Sequence, residues 1–373
     1  MVLCMYLNIE NVIPIMFSNM SQAFPNASLI SIQQIPSVMY LVESAACFAG
    51  GWFVSKLSKR RIIIIFQAGT VAGGLFAYFF GTTVAMLYLS AFIIGFSASL
   101  VSVISRSIVV ENFTGDDVPK VIGASQIANS LGTMMLQMLT GYLAVIHWKM
   151  GYLTFLFGLV SLFSAVFLLP EGPLETREPK TGQRAKIWTR HLIHDIVLTC
   201  VFLLVNMTYT SNISYLVTER NLGDSVVTGY LSSLRTAFVF LAAIFLPAVL
   251  KAVKKYCLTF SLLCVIAGYL LVTVSPNVWM VAAGTALAGF GQGIFTPAIF
   301  AHIARHVNQS TNSISHAMIQ AAGNAGIYLY PYVITVPSLL LGTAAVYRFA
   351  VALPLAIVLL IAETIYQHYQ TEY

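Results

Sequence analysis

The chain has 373 residues, 58% of them hydrophobic and only 9% charged, with 24 Phe, 18 Tyr and a mean hydropathy of +0.83. Soluble domains run at about 45–50% apolar and about 25% charged, so this few charges could not cover the apolar surface of a soluble fold of such length. The formal net charge of +6 does not point to nucleic acid, because no basic stripe interleaves with exposed aromatics; in so apolar a chain, excess Lys and Arg mark cytoplasmic loops.

The first stretch, "MVLCMYLNIENVIPIMF", lacks a basic n-region and carries Glu10 inside its apolar run, which excludes a signal peptide. Seventeen residues of helix span about 25 Å, slightly short of a hydrocarbon core, which leaves open a helix start upstream of Met1. Apolar runs bounded by Pro, Gly, Asn or charge occupy residues 1–18, 31–54, 62–80, 84–109, 119–146 and 151–169. They resume at 192–217, 226–250, 257–275, 278–304, 313–336 and 343–363. The pattern predicts an all-α polytopic membrane protein of twelve transmembrane helices in two six-helix bundles, residues 1–169 and 192–373, with the polar segment 170–191 as a cytoplasmic linker.

With twelve spans, alternate loops share a side of the membrane. Fifteen Lys and Arg then gather on one side, among them Lys56, Lys59, Arg60, Arg61, Lys251, Lys254 and Lys255, against only Lys149 and Arg220 on the other. The positive-inside rule makes the rich side, and both termini, cytoplasmic. The five cysteines, Cys4, Cys47, Cys200, Cys257 and Cys264, lie in or beside apolar runs without a CxxC, which reads as core thiols.

The halves repeat. A shift of 195 residues lays "GWFVSKLSKR" on Leu246–Lys255, matching Lys56 to Lys251 and Lys59 to Lys254. A shift of 194 lays Gly95 and Phe96 on Gly289 and Phe290, and sets Gln126, Ala128 and Gly132 on Gln320, Ala322 and Gly326. A parallel six-helix repeat is the gross anatomy of one large transporter class.

Over essentially its whole length the chain therefore resembles the major facilitator superfamily. The superfamily's loop between helices 2 and 3 reads roughly Gly-x-Leu-Ala-Asp-Arg-x-Gly-Arg-Lys, and Gly51, Phe53, Lys56, Lys59 and Arg60 occupy matching positions. Ser55 stands in place of the family's Asp and Ser58 in place of its Gly. The resemblance implies a cytoplasmic gate in which Lys59 pairs with an acid at the end of helix 4, where Glu111 is suitably placed. It also implies a solute pathway lined by helices 1, 4, 7 and 10 and bordered by helix 8.

Charges at bilayer depth are expensive and so are functional candidates. Three stand out: Glu10 in "NIENVIP", Glu43 in "MYLVESAACFAGG" and Arg235 in "YLSSLRTAF". Arg235 cannot shed its proton, so it needs a permanent partner or an anionic ligand, and its fork matches a carboxylate. A salt bridge to Glu10 or Glu43 is the competing reading. Either glutamate can become neutral at modest cost, which suits proton coupling, and Glu10 on its polar helix is the better placed. Asn206, Tyr209, Asn212 and Tyr215 recur every three residues along helix 7, Asn8 and Asn11 flank Glu10, and Gln126, Gln320 and Gln292 are further candidates for lining a polar cavity. Helix 10 carries "GFGQGIFTP", whose glycines permit close packing and whose Pro297 invites a kink. His302 and His306 are four apart but lack a neighbouring Glu of the HExxH type, so they read as interfacial residues, as does His316, with a proton relay as its alternative.

No G-x-S-x-G, P-loop or paired-carboxylate motif is present, so nothing argues for an enzyme, a metal or a cofactor. The expectation is a secondary transporter in the cell membrane, monomeric, partnered by the lipid bilayer, a small-molecule substrate and protons. The best substrate class is a small organic anion, by proton coupling or exchange. The alternatives are a proton-driven exporter of amphipathic compounds and, more distantly, a non-transporting receptor or scaffold.

Overall fold

The computed structural model describes residues 8–54, 56–112, 117–169, 189–306 and 312–369. Among them every regular element is helical, as expected where no water is available to satisfy a bare backbone. A 3-10 segment Ile9–Met16 runs into α1 (Phe17–Ala23), followed by α2 (Leu29–Val54), α3 (Lys59–Phe80), α4 (Val84–Asn112) and α5 (Asp117–Ile146). A second 3-10 segment, Trp148–Phe157, leads into α6 (Gly158–Leu168). Then come α7 (Arg190–Glu219), α8 (Ser225–Val253), a 3-10 turn Lys254–Tyr256, α9 (Cys257–Val274), α10 (Val278–His306) and α11 (Asn312–Tyr330). The π-turn Pro331–Thr335, α12 (Val336–Ser338) and α13 (Ala345–Tyr369) complete the chain.

Among the described residues, seven helical stretches are long and apolar enough to cross a membrane. The surface is that of a lipid-facing protein: Phe79, Ile146, Phe167, Leu168 and Trp279 are exposed, from 65% for Phe79 to 81% for Trp279. Polar residues such as Gln33, Gln67, Thr70 and Asn212 are instead buried.

Several boundaries depart from the apolar pattern, for local reasons. Pro14 has no N–H to give an α-helical ladder, and the chain around it winds as the 3-10 segment Ile9–Met16. α7 begins at Arg190, two residues earlier than the hydropathy predicts, because the Thr189 hydroxyl accepts from Leu192 N at 3.2 Å and caps the helix. α13 runs on to Tyr369, past the predicted end at residue 363, and keeps a buried Glu363 and Gln367 within its last turns. Pro297 lies inside α10 without ending it.

Contacts divide the chain into two compact units, Met1–Lys180 with Asp224–Tyr230, and Thr181–Gly223 with Leu231–Tyr373. In the first, α4 packs on both α2 and α3, and Ile62, Ile63, Ile104 and Ala165 form a core edged by Phe53 and Phe66. Ser90 Oγ donates to Gly73 O at 2.8 Å, tying α4 to α3. Arg60 Nη2 donates to Val166 O at 2.5 Å, so a cation closes the C-terminal turn of α6.

In the second unit α9 packs on α10, and α7 on α11 and α13. Gly268 and Gly284 let the first pair approach backbone to backbone, since a Cβ on either would lie 2.6 Å from the other's carbonyl oxygen. Arg220 ends α9: it donates to Val272 O at 3.2 Å, Thr273 O at 2.6 Å, Ser275 O at 2.7 Å and Ser275 Oγ at 3.1 Å. Those carbonyls are the ones a helix C-terminus leaves unpaired. The neighbouring Glu219 accepts from Ala345 N at 2.7 Å and so caps α13.

Candidate solute-binding site

In the second unit the site is built on α7. Asn206 and Thr210 stand one turn apart on one face of that helix. Arg235, eleven residues into α8, reaches both: Nη2 donates to Asn206 Oδ1 at 2.6 Å and Nη1 to Thr210 Oγ1 at 2.7 Å. Its guanidinium also lies over the Tyr209 ring, 4.9 Å from the centroid. Tyr209 is held in turn by a hydrogen bond of 2.7 Å with Thr285 on α10, and Tyr269 of α9 donates to Val205 O at 2.9 Å. Among the partners that hold Arg235 are thus two neutral oxygens and an aromatic face.

The alternating glycines of α10 explain how α8 comes close enough. A Cβ on Gly289 would lie 2.6 Å from Arg235 O and 3.2 Å from Arg235 Cγ, and one on Gly293 would collide with Val239 O one turn further along. Gly291, on the opposite face, meets Ser261 O of α9. Gln292 beside it is half-buried.

Asn212 and Tyr215 do something else. Arg348 of α13 is 2% exposed; Nη1 donates to Asn212 Oδ1 at 3.1 Å, Nη2 to Thr343 O at 2.7 Å, and its guanidinium lies 5.4 Å from the Tyr215 centroid. Asn212 also donates to Thr208 O and to the Tyr330 hydroxyl. Asn212 and Tyr209 are 0% and 1% exposed. Gln320 of α11 is exposed, and its Nε2 donates to Asn324 Oδ1 at 3.3 Å.

In the first unit Asn8 precedes the opening 3-10 segment, and its carbonyl accepts from Asn11 N and Asn11 Nδ2, each at 3.2 Å. Asn11 Nδ2 also approaches Glu10 Oε1 at 3.4 Å, and Tyr40 OH reaches Asn11 Oδ1 at 3.5 Å. Glu10 is 5% exposed, and its Oε2 has no hydrogen-bond partner among the described residues. Glu43 is half-buried on α2, and its backbone carbonyl accepts from Ser99 Oγ at 3.0 Å. Gln126 is exposed on α5. Of the expected gate residues, Gly51 lies near the end of α2, Lys56 is exposed, Lys59 opens α3 and Arg60 caps α6. The side chain of Glu111, and with it the expected pairing to Lys59, falls outside the described residues.

One buried cluster escaped the sequence reading. Asp195, 1% exposed on α7, lies 3.1 Å from His194 Nδ1 and 2.9 Å from His302 Nδ1 of α10. His194 Nε2 is 2.9 Å from Glu363 Oε2 of α13, and its ring stacks on Tyr366 at 3.5 Å. Gln367 donates to Glu363 and accepts from Thr259 Oγ1 at 2.9 Å, extending the chain of contacts to α9. Of its members only His302 stood out in the sequence, as an interfacial residue, and the structure corrects that: it is 11% exposed and turned inward onto Asp195, an acid from a helix more than a hundred residues away in sequence. Among the described residues no group of three or more His, Cys, Asp or Glu is arranged to hold a metal ion.

The family model described as Major Facilitator Superfamily matches residues 1–256. The chain belongs to that superfamily, and it is a multi-pass membrane transporter of the secondary type rather than an enzyme. No curated protein matches it in sequence. Among solved structures, a POT family transporter in complex with a thioalcohol conjugated peptide is similar with a TM-score of 0.78 at 13% identity, covering 99% of this chain and 96% of that one. A point mutant of the peptide transporter POT gives 0.79 at 12% identity, covering 98% and 93%. The nucleoside transporter NupG gives 0.76 at 13%, covering 99% and 100%. At such identities the likeness is one of fold.

Proposed function

We propose that this transporter moves a small solute bearing a carboxylate, and that Arg235 is the group that receives it. The reading takes the chain as twelve spans in two pseudo-symmetric halves, 1–169 and 192–373, joined by the linker 170–191. It acts as a monomer in the cell membrane, with both termini in the cytoplasm and the basic loop around Lys59 gating that side against Glu111. The observation that carries the proposal is the way Arg235 is held. Two neutral oxygens and a ring face fix the plane of its fork, so a carboxylate can take over those donors as a charge-assisted, bidentate partner. One structural neighbour is in complex with a conjugated peptide, and a free peptide C-terminus is such a group.

Glu10 supplies the proton-linked half of the reading. A buried carboxyl with one oxygen lacking a hydrogen-bond partner is costly as an anion and cheap as an acid. That same feature favours the second reading, a proton-driven exporter of amphipathic compounds that does not use Arg235.

The test is a panel of dipeptides, organic acids, nucleosides and lipophilic cations scored for thermal stabilisation of the purified protein. Ligand at a hundred times its Kd adds about 2.7 kcal/mol to apparent stability. Stabilisation by carboxylates and not by their amides supports the proposal. Stabilisation by nucleosides or lipophilic cations alone overturns it.

A further inference from the structure

We infer that the cytoplasmic end of the second unit carries a binding site for the headgroup of an anionic phospholipid. A cleft of about 710 Å³ opens there between the α8–α9 turn, α10 and the end of α13. Its lining is mainly apolar, with Leu258 of α9 and Ala298 and Ala301 of α10 among the residues. Its polar lining includes Lys254, Lys255, Tyr256, His302 and Gln367, and no described lining residue is acidic. Asp195 and Glu363 are engaged with His302 and His194. An apolar slot with a cationic mouth at the end of a membrane helix fits an acyl chain below and a phosphate above.

A second observation is independent of charge. Lys254 has a φ of 49°, in the left-handed region, at the tip of the turn between α8 and α9. Glycine would adopt that conformation freely, whereas a residue with a side chain is strained there. A lysine kept in a strained place points to a use for its charge. Beside it, Lys255 Nζ lies over the Tyr256 ring at 5.3 Å, the pairing of cation and aromatic typical of the membrane interface. Lys251, exposed one turn earlier, adds a third cation to the same end. The inference rests on the orientation proposed above only in that it turns this end toward the anionic leaflet.

The experiment uses the full chain in mixed micelles of phosphatidylglycerol or phosphatidylcholine, reading the apparent Tm against lipid concentration; micelles have no sidedness, so the result stands apart from the orientation. Phosphatidylglycerol should raise Tm more than phosphatidylcholine does. Lys254→Gly with Lys255→Gln should weaken that preference by about 25-fold, about fivefold per lysine. Lys254→Gly should not lower the Tm measured without lipid, because glycine relieves the strained turn, so loss of the lipid effect cannot be put down to misfolding. Lys149→Gln, in the other unit, should leave the preference intact. Inorganic phosphate and glycerol phosphate should give no stabilisation, since neither fills the apolar walls. Equal response to the two lipids, a full response in the double variant, or stabilisation by free phosphate alone would each overturn the inference.

Discussion

Replacing Arg235 with Lys keeps the charge and removes the fork. In the structure the guanidinium serves Asn206 Oδ1 at 2.6 Å and Thr210 Oγ1 at 2.7 Å simultaneously, and these acceptors are a helical turn apart. An ammonium on a shorter stem can satisfy one of them. The other then loses a hydrogen bond to a charged donor, worth about 1.5–3 kcal/mol. Arg235 is half-buried, so rehydration of the stranded oxygen reduces the expected loss of stability to about 1–2 kcal/mol. The effect on the ligand should be larger, because a bidentate carboxylate bond depends on both donors. Binding is measured by titration with a carboxylate ligand and with its amide, in the wild type and in Arg235→Lys and Arg235→Gln. The carboxylate should bind at least about tenfold tighter than the amide in the wild type, a gap of about 1.4 kcal/mol. The preference should shrink in Arg235→Lys and disappear in Arg235→Gln. An unchanged preference in Arg235→Gln would refute the anchor role. Recovery of stability in Arg235→Gln on adding Glu10→Gln, with ligand binding retained, would show instead that the arginine neutralises an acid.

Three further outcomes follow from the geometry. Arg220→Ala removes the donors that end α9 and should cost about 2–3 kcal/mol by thermal unfolding, with Lys a poor substitute; a shift below about 0.5 kcal/mol would mean that water replaces the cap fully. Asp195→Ala leaves His194 and His302 without the buried acid between them and should cost about 3–5 kcal/mol, and adding His302→Ala should recover part of it; strictly additive losses would show that the cluster is not coupled. Cysteines introduced near Ser21, Lys149 and Asn221 should react with an impermeant reagent from outside, and those near Ser58 and Thr181 should not; external labelling at Ser58 would reverse the proposed orientation.

The candidate site was half legible in the order of residues alone. Glu10, Glu43 and Arg235 stand out because a charge inside an apolar run is costly wherever the helix faces. The facing direction was not legible. Asn206, Tyr209, Asn212 and Tyr215 share one spacing in sequence, yet Asn206 and Tyr209 serve Arg235 on α8 while Asn212 and Tyr215 serve Arg348 on α13. A helix spanning a bilayer has neighbours all around it, and periodicity carries no label saying which neighbour meets which stripe.

What the sequence determined by itself is the membrane class, the approximate positions of the helices and the superfamily. Each depends on local quantities: run length, the cost of charge in lipid, and a loop motif read in order. What only the tertiary structure decided is which polar groups meet. Asp195, His302 and Glu363 come from three helices and from positions up to 168 residues apart. Arg220, which the sequence offers only as a loop charge, closes the end of α9, 52 to 55 residues away. Such contacts depend on helix rotation and depth, which are set when side chains pack around close approaches such as Gly268 on Gly284. A rotation of one residue, about 100°, redirects a side chain to another neighbour without changing the hydropathy of the segment at all.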